Sequence, residues 1–282
     1  MKTNDPPPRQ QKIPPLGEKY IFWTGCAANY DARIATVVKA TTKVLRTAGI
    51  ELAFLGEEEA CTGDCARRLG EEGLFQQLAN QNIEMLERRG VTHIVTHCAH
   101  CFHALKNEYP RFGGSFEVYH HSELIAQLLR ENRLQLKTTT RPVATLHDSC
   151  YVGRYNGIFD APREILQAVC GPNTVEMPLH GEQSFCCGAG GACYWYDAPK
   201  REPAGTIRIR EAVKAGARTV VAECPFCIKM LELGAQTAAG NTELKVQDIS
   251  EIVADALCGE PDVVAPHAGD EQQRDEQEKA HA

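Results

Sequence analysis

GVTHIVTHCAHC at 90–101 and GARTVVAECPFC at 216–227 decide the reading of this chain. Each runs an apolar, β-branched strand pattern into a CxxC pair, and the two pairs lie 126 residues apart. Self-similarity at a fixed offset marks a duplicated unit. Working outward, the offset holds. Cys26 and Cys150 are 124 residues apart, Cys61 and Cys186 are 125 apart, and VYHHSELIAQLL (118–129) pairs with VQDISEIVADAL (246–257) at 128. Four landmarks in one order read as two copies of one domain, at 18–137 and 141–258.

Both copies share one plan. A lone cysteine is followed by a gap, a second cysteine element, a similar gap and a CxxC. In the second copy, 35 residues separate Cys150 from the doublet Cys186–Cys187 in SFCCGAGG, and 36 more lead to Cys224 and Cys227. In the first copy, 34 residues separate Cys26 from Cys61 in ACTGDCARR, and 36 more lead to Cys98 and Cys101. Aligning Gly63 with Gly188 puts Thr62 where the second copy has Cys187. The doublet is therefore missing from copy one, with Cys65 nearby instead.

The apolar runs KYIFWTGC, PVATLHDSC, THIVTHC and TVVAEC all end at motif cysteines and predict short buried strands. Helical patterns follow at Ala32–Thr47 and Glu71–Arg89, and Pro162 is expected to open a helix continuing through Glu164–Val169. The expected fold class is α/β. Each of the two tandem pseudo-repeated domains is a small, mostly parallel sheet flanked by helices. In such sheets ligands gather beyond the strands' carboxyl ends, where these cysteines fall. Gly188, Gly190 and Gly191 allow close backbone approach there.

Composition narrows the function. The chain has 282 residues, 43% hydrophobic and 24% charged, enough to bury real cores. No run approaches the roughly 18–20 apolar residues of a membrane span, and no signal peptide is expected. A net charge of −7 argues against nucleic acid as a partner. Thirteen cysteines without a secretory signal point to a cytoplasmic location and to metal or redox chemistry rather than disulfides. Residues 1–17 read as a proline-rich leader and 259–282 as a polar, mobile tail.

Three chemistries suit four or five gathered thiols: structural zinc, an iron–sulfur cluster, or a CxxC dithiol. Adjacent thiolates reach one zinc poorly but can reach two irons. A dithiol leaves three motif cysteines of the second copy without a role. The spacing therefore favours iron–sulfur, with a zinc-binding structural protein as an alternative.

The strings HDSCYVGRYNGIFDAPREIL, SFCCGAGG, ECPFC, CTGDCARR, NIEML and HCAHCFHALKNEYP resemble the cysteine-rich CCG domain family of heterodisulfide reductase B subunits. They are most similar to its flavoprotein–quinone group, over about residues 20–258. The resemblance implies a noncubane [4Fe-4S] cluster on Cys150, Cys186, Cys187, Cys224 and Cys227. It implies a [4Fe-4S] cubane, or a degenerate site, on Cys26, Cys61, Cys98 and Cys101. Relatives often carry proline at Cys65, which is either an added ligand or a bystander.

The resemblance also implies an electron-transfer subunit of an oxidoreductase complex, with disulfide reduction at the noncubane cluster as the alternative. Expected partners are a flavoprotein, a ferredoxin-like iron–sulfur subunit and a membrane quinone-reactive subunit, through which the chain would associate with a membrane. His147, Gly188 and Arg154 are candidates to support the second site from behind its ligands, with Arg67 and Arg68 as charge-balancing candidates at the first. The histidines of the first copy, His97, His100, His103, His120 and His121, are expected to donate hydrogen bonds or pack rather than ligate. Tyr194, Trp195 and Tyr196 read as core, Cys193 as a spare buried thiol, and Cys170 and Cys258 as structural.

Overall fold

The structure is a computed structural model that describes residues 19–137, 140–196, 202–238 and 244–258. The expected leader and tail lie outside the described residues. Two sheets of four parallel strands form the frame. The first contains β1 (Lys19–Trp23), β2 (Glu51–Ala53), β3 (His93–Thr96) and β4 (Glu117–His120), in the order β2-β1-β3-β4. The second contains β5 (Ala144–Leu146), β6 (Thr174–Val175), β7 (Thr219–Ala222) and β8 (Lys245–Asp248), in the order β6-β5-β7-β8. The orders are the same once the repeat is allowed for.

Every pairing is parallel, so crossovers place helices on both faces and the strands are buried. That is why TVVA and HIVT read as apolar runs rather than alternating ones. The helix Ala32–Thr47 starts at Asp31, whose carboxylate accepts the Arg33 amide at 2.8 Å. It buries Ile34, Val37, Val44 and Leu45, each contributing about 1.5–3 kcal/mol. The long helix of the first repeat runs Glu72–Arg88, and that after Cys150 runs Asp160–Cys170. The latter begins two residues before the expected Pro162. Pro162 still lies in the first turn, where its missing N–H is not needed.

The last strand of each repeat enters its helix through the same device. His120 caps His121–Arg130 with Glu123 closing the box, and Asp248 caps Ile249–Ala254 with Glu251. These helices exchange partners between repeats. Ala32–Thr47 packs on Ile249–Ala254, while Asp160–Cys170 packs on His121–Arg130, giving a pseudo-two-fold arrangement. One apolar cluster takes Phe22, Leu45 and Leu124 from the first repeat and Leu146, Ile165 and Val221 from the second.

Polar contacts cross the same boundary. Arg33 pairs with Glu232 at 2.6 Å and Glu251 at 2.7 Å, and the Thr41 hydroxyl donates to Ser250 at 2.9 Å. His121 Nε2 meets Asp248 Oδ1 at 3.0 Å with both side chains fully buried. Among the described residues no helix is long and apolar enough to cross a membrane.

Candidate metal centres

The strand order sets the sites. In the first sheet the chain leaves β1 towards β2 on one side, while β3 lies on the other. The carboxyl ends of β1 and β3 therefore flank the topological switch point. Cys26 follows β1, and Cys98 and Cys101 follow β3. The same holds for Cys150 after β5 and for Cys224 and Cys227 after β7. The connection after the second strand of each sheet supplies Cys61 or Cys186–Cys187.

Within each repeat the sulfurs meet in matching pairs. Cys26 donates to Cys61, and Cys150 to Cys186. The hydrogen bond from Cys26, reinforced by the Gly63 amide at 3.4 Å, lowers the Cys61 thiol to about 6 against the pull of burial. In the second repeat, donation from Cys150 and Cys187 with the Gly188 amide at 3.3 Å drives Cys186 far down. Donating to those thiolates raises Cys26 and Cys150, and burial adds to it. Gly63 and Gly188 make this turn at φ 84° and 93°, a region that side chains disfavour.

The second pair differs between repeats. Cys187 Sγ lies 3.3 Å from Cys227 Sγ. In the first repeat Thr62 takes that place, and its hydroxyl faces Cys101 Sγ at 3.8 Å. At the next corresponding position the Ser149 hydroxyl faces Cys227 Sγ at 3.6 Å. Gly25 occupies its counterpart, and a Cβ there would come within 3.3 Å of Cys101 Sγ.

The two sites touch. Cys98 and Cys224 are hydrogen-bond partners across the repeat boundary, and His100 also donates to Cys224. Burial pushes the Cys224 thiol up, but hydrogen bonds from Cys227, Cys98 and His100 outweigh it and hold Cys224 well below its usual range. Cys224 also caps the helix Pro225–Thr237, whose N-terminus favours a thiolate. His100 Nδ1 is anchored on Asp64 at 2.7 Å, and its ring packs on Phe226, the residue that replaces it in the second CxxC, at 4.9 Å.

His147 is buried, with a ring nitrogen within 4.8 Å of the Cys187 and Cys227 sulfurs. Burial, and then the Arg208 charge, push its pKa down to about 4. Its neighbours include a residue that sequence reading missed. Arg208, fully buried, donates from Nε to His147 Nδ1 at 3.2 Å. The signal was available in the repeat: the 126-residue offset pairs Arg208 with Asn82 of NIEML. Asn82 is equally buried and donates to the Cys61 carbonyl at 3.1 Å and the Tyr109 hydroxyl at 2.9 Å. The counterpart of His147 is Trp23, also missed. Its indole Nε1 is buried with no acceptor among the described residues.

Arg154 is exposed and holds the Ser184 carbonyl at 2.6 Å, bracing the approach to the doublet. Arg68 pairs with Asp64 at 3.2 Å and with Glu108, while Arg67 reaches Glu108 at 3.6 Å. Their charges are thus taken up by carboxylates. Of the first-repeat histidines, His97 meets the Thr24 carbonyl at 2.8 Å, while His120 and His121 lie at the repeat boundary. His103 stacks on Tyr151 at 4.8 Å.

The expectation of core for Tyr194, Trp195 and Tyr196 is corrected. Trp195 and Tyr196 are 56% and 62% exposed, and only Tyr194 packs inward, on Phe226 at 5.3 Å. The loop after the glycines faces the other repeat rather than its own core. Trp195 donates to Cys65, although burial still leaves that thiol raised. Cys193 is exposed rather than buried for the same reason. Cys170 is buried, but Cys258 is exposed.

These residues fit a group bound through sulfur. Thiols with few partners but one another, glycine amides aimed at sulfur and an orphaned indole N–H are donors and ligands for a cluster.

The fold and sites define a tandem α/β protein that gathers cysteines at each sheet's switch point. The chain belongs to the cysteine-rich (CCG) domain family, which matches residues 20–106 and 144–232. It is similar to the probable iron-sulfur-binding oxidoreductase FadF of Bacillus subtilis, 39% identical over 86% of this chain and 34% of that protein. The EtfAB:quinone oxidoreductase of Syntrophomonas wolfei is 38% identical over 85% of this chain and 34% of that protein. One polypeptide of the dihydromethanophenazine:CoB–CoM heterodisulfide reductase of Methanosarcina barkeri is 35% identical over 84% of this chain and 58% of that protein. The chain thus spans about a third of the first two and rather more than half of the third. A hypothetical protein from Helicobacter pylori shares the fold, with a TM-score of 0.53 at 11% identity over 88% of this chain and 50% of that one.

Proposed function

We propose that this chain is an iron–sulfur electron-transfer unit of an oxidoreductase complex. Cys26, Cys61, Cys98 and Cys101 hold a [4Fe-4S] cubane, and Cys150, Cys186, Cys187, Cys224 and Cys227 hold a noncubane [4Fe-4S] cluster. Bound clusters would accept and release electrons one at a time. The convergence of sulfurs within each repeat carries the reading: Cys187 Sγ lies 3.3 Å from Cys227 Sγ, and Cys26, Cys61, Cys98 and Cys101 line one space. Cys65 lines the same space as the first set and accepts a hydrogen bond from Trp195, as a ligating thiolate also can, so the iron content of Cys65→Ser decides between a fifth ligand and a bystander. The electron donor is a flavoprotein or iron–sulfur protein, and the acceptor a quinone-reactive partner, in keeping with the names of the relatives.

A second reading is favoured by one observation. A recess of about 120 Å³, lined by Tyr30, Tyr194, Trp195, Phe226 and Lys229, opens between the repeats beside the first set. Ala27 and Phe226 also line the space around Cys26, Cys61 and Cys65. Pro225 and Phe226, between Cys224 and Cys227, line the recess as well, so a small disulfide admitted there could take two electrons from the donor through the second-site cluster and two protons from water, its S–S bond breaking to give two thiols, the chemistry named for the Methanosarcina relative.

The test is iron, sulfide and zinc analysis of the chain after anaerobic preparation, with EPR of the reduced protein. Iron with matching acid-labile sulfide and two distinct signals is expected. Zinc without sulfide overturns both readings.

A further inference from the structure

We propose that Arg208, acting through His147, is a positioning residue that raises the reduction potential of the second site and leaves the first unaffected. This rests on the cluster reading above. Hydrogen-bond roles fix the tautomer of His147. A guanidinium has only donors, so the His147 nitrogen facing Arg208 must be an acceptor. With Nδ1 committed to Arg208 at 3.2 Å, the neutral ring carries its one proton on Nε2. One ring nitrogen lies within 4.8 Å of the Cys187 and Cys227 sulfurs, and Nε2–H is the one proton the ring has to offer a group bound there. The same contact keeps His147 from ligating a metal, because a ligating imidazole normally donates its other N–H outward.

Arg208 also brings a charge. All its groups are held: Nη1 by Glu211 at 2.6 Å, Nη2 by Ser184 at 3.4 Å and Nε by His147. The compensating Glu211 side chain is 18% exposed, whereas Arg208 is wholly buried. Water therefore screens the negative end, and the positive end faces the site through a low-dielectric path. Each added electron makes a thiolate-ligated cluster more negative. A fixed cation and an oriented N–H stabilise that form and raise the potential.

The first repeat lacks both features. Asn82 is a neutral amide spent on a backbone carbonyl and a tyrosine, and Trp23 offers an N–H with no charge behind it. His100, though carried by the first repeat, donates to Cys224 and so also favours the second site, but the Arg208 variants leave it in place and their shift is read against it.

The experiment is an EPR-monitored redox titration of the anaerobic chain, with dithionite as reductant. At the wild-type midpoint of the second site, Arg208→Gln should lower its reduced-to-oxidised ratio at least tenfold, which is 59 mV for a one-electron couple. The first-site ratio should stay within about twofold. Arg208→Lys, which keeps charge but loses the planar Nε donor, should fall between Arg208→Gln and wild type. An unmoved second site, or equal shifts at both, overturns the proposal while iron and sulfide contents show that the clusters remain.

If both variants lose the cluster, ENDOR on the wild-type protein with ¹⁵N-histidine decides. A second-site signal coupled to a histidine nitrogen and to a proton lost in D₂O, and kept in His100→Gln, supports the assignment; its absence overturns it. Failure to bind iron at all in the wild type would instead overturn the cluster reading.

Discussion

The two repeats are alike where they build the frame and different where they face sulfur. Both carry the strand order, the N-capping boxes at His120–Glu123 and Asp248–Glu251, and the glycine amides on Cys61 and Cys186. Five inward positions diverge: Trp23 against His147, Gly25 against Ser149, Thr62 against Cys187, Asn82 against Arg208, and His100 against Phe226. Each of these changes is matched by its own surroundings: Trp23 packs in the core, Asn82 holds a carbonyl and a tyrosine, and Arg208 holds His147, Glu211 and Ser184. One frame can thus hold two centres of unequal character. The second repeat has the extra thiol and the buried cation, while each repeat turns one hydroxyl to sulfur, Thr62 in the first and Ser149 in the second.

The largest break in this comparison should come from removing a thiol common to both sites. Cys186→Ser and Cys61→Ser are each expected to lose about half the bound iron, with loss of one EPR signal and retention of the other. Loss of all iron from either variant would mean that the sites are one. Next comes the joint between the repeats. His121→Phe leaves Asp248 buried without its partner and should cost about 3–5 kcal/mol in urea unfolding.

The same pair sets a pH dependence. Burial raises the Asp248 carboxyl, but His121 and the Ser250 hydrogen bond outweigh it and hold it below the usual range. Its folded value thus lies under its unfolded one. The stability it contributes is present above about pH 4 and is lost as pH falls through the folded value. Asp248→Asn should flatten that acid limb; an unchanged limb would assign it to other carboxylates.

A subtler change interchanges the sites without emptying them. Cys187→Thr copies the first repeat into the second, and Thr62→Cys does the reverse. Each should shift its own site's EPR signal towards the other's at constant iron content. Signals that ignore both swaps would remove Cys187 from the ligand set.

Much of this was legible in the chain because repetition converts one sequence into two aligned ones. The strands showed as apolar runs ending at cysteines, since parallel strands buried on both faces need no alternation. Ala32–Thr47 showed through its 3.6-residue period. Arg208 did not show, because a buried arginine looks like any surface arginine until its partners His147, Ser184 and Glu211 are assembled from distant segments. Trp195 and Tyr196 misled for the opposite reason. Aromatic residues after a glycine run suggest core, yet the short turn at Cys193–Trp195 carries them over to the other repeat. Contacts between repeats, such as those of Cys98 and His100 with Cys224, depend on the pseudo-two-fold packing and leave no trace in spacing.

The smallest expected effect concerns Gly25 and Ser149, and it sharpens the comparison most finely. Ser149→Ala removes a single hydroxyl that faces Cys227 at 3.6 Å, in a buried setting, and should cost about 1 kcal/mol. The reciprocal change is not symmetrical. Gly25 sits at φ 76°, where a side chain strains the backbone, and its Cβ would press on Cys101 Sγ at 3.3 Å. Gly25→Ala should therefore cost rather more, about 1–3 kcal/mol, and should weaken iron retention at the first site. If both variants unfolded at the same urea concentration as the wild type while only Gly25→Ala lost iron, the glycine would be serving the bound group alone. If Gly25→Ala lost stability and kept its iron, the close approach to Cys101 would be a matter of backbone geometry.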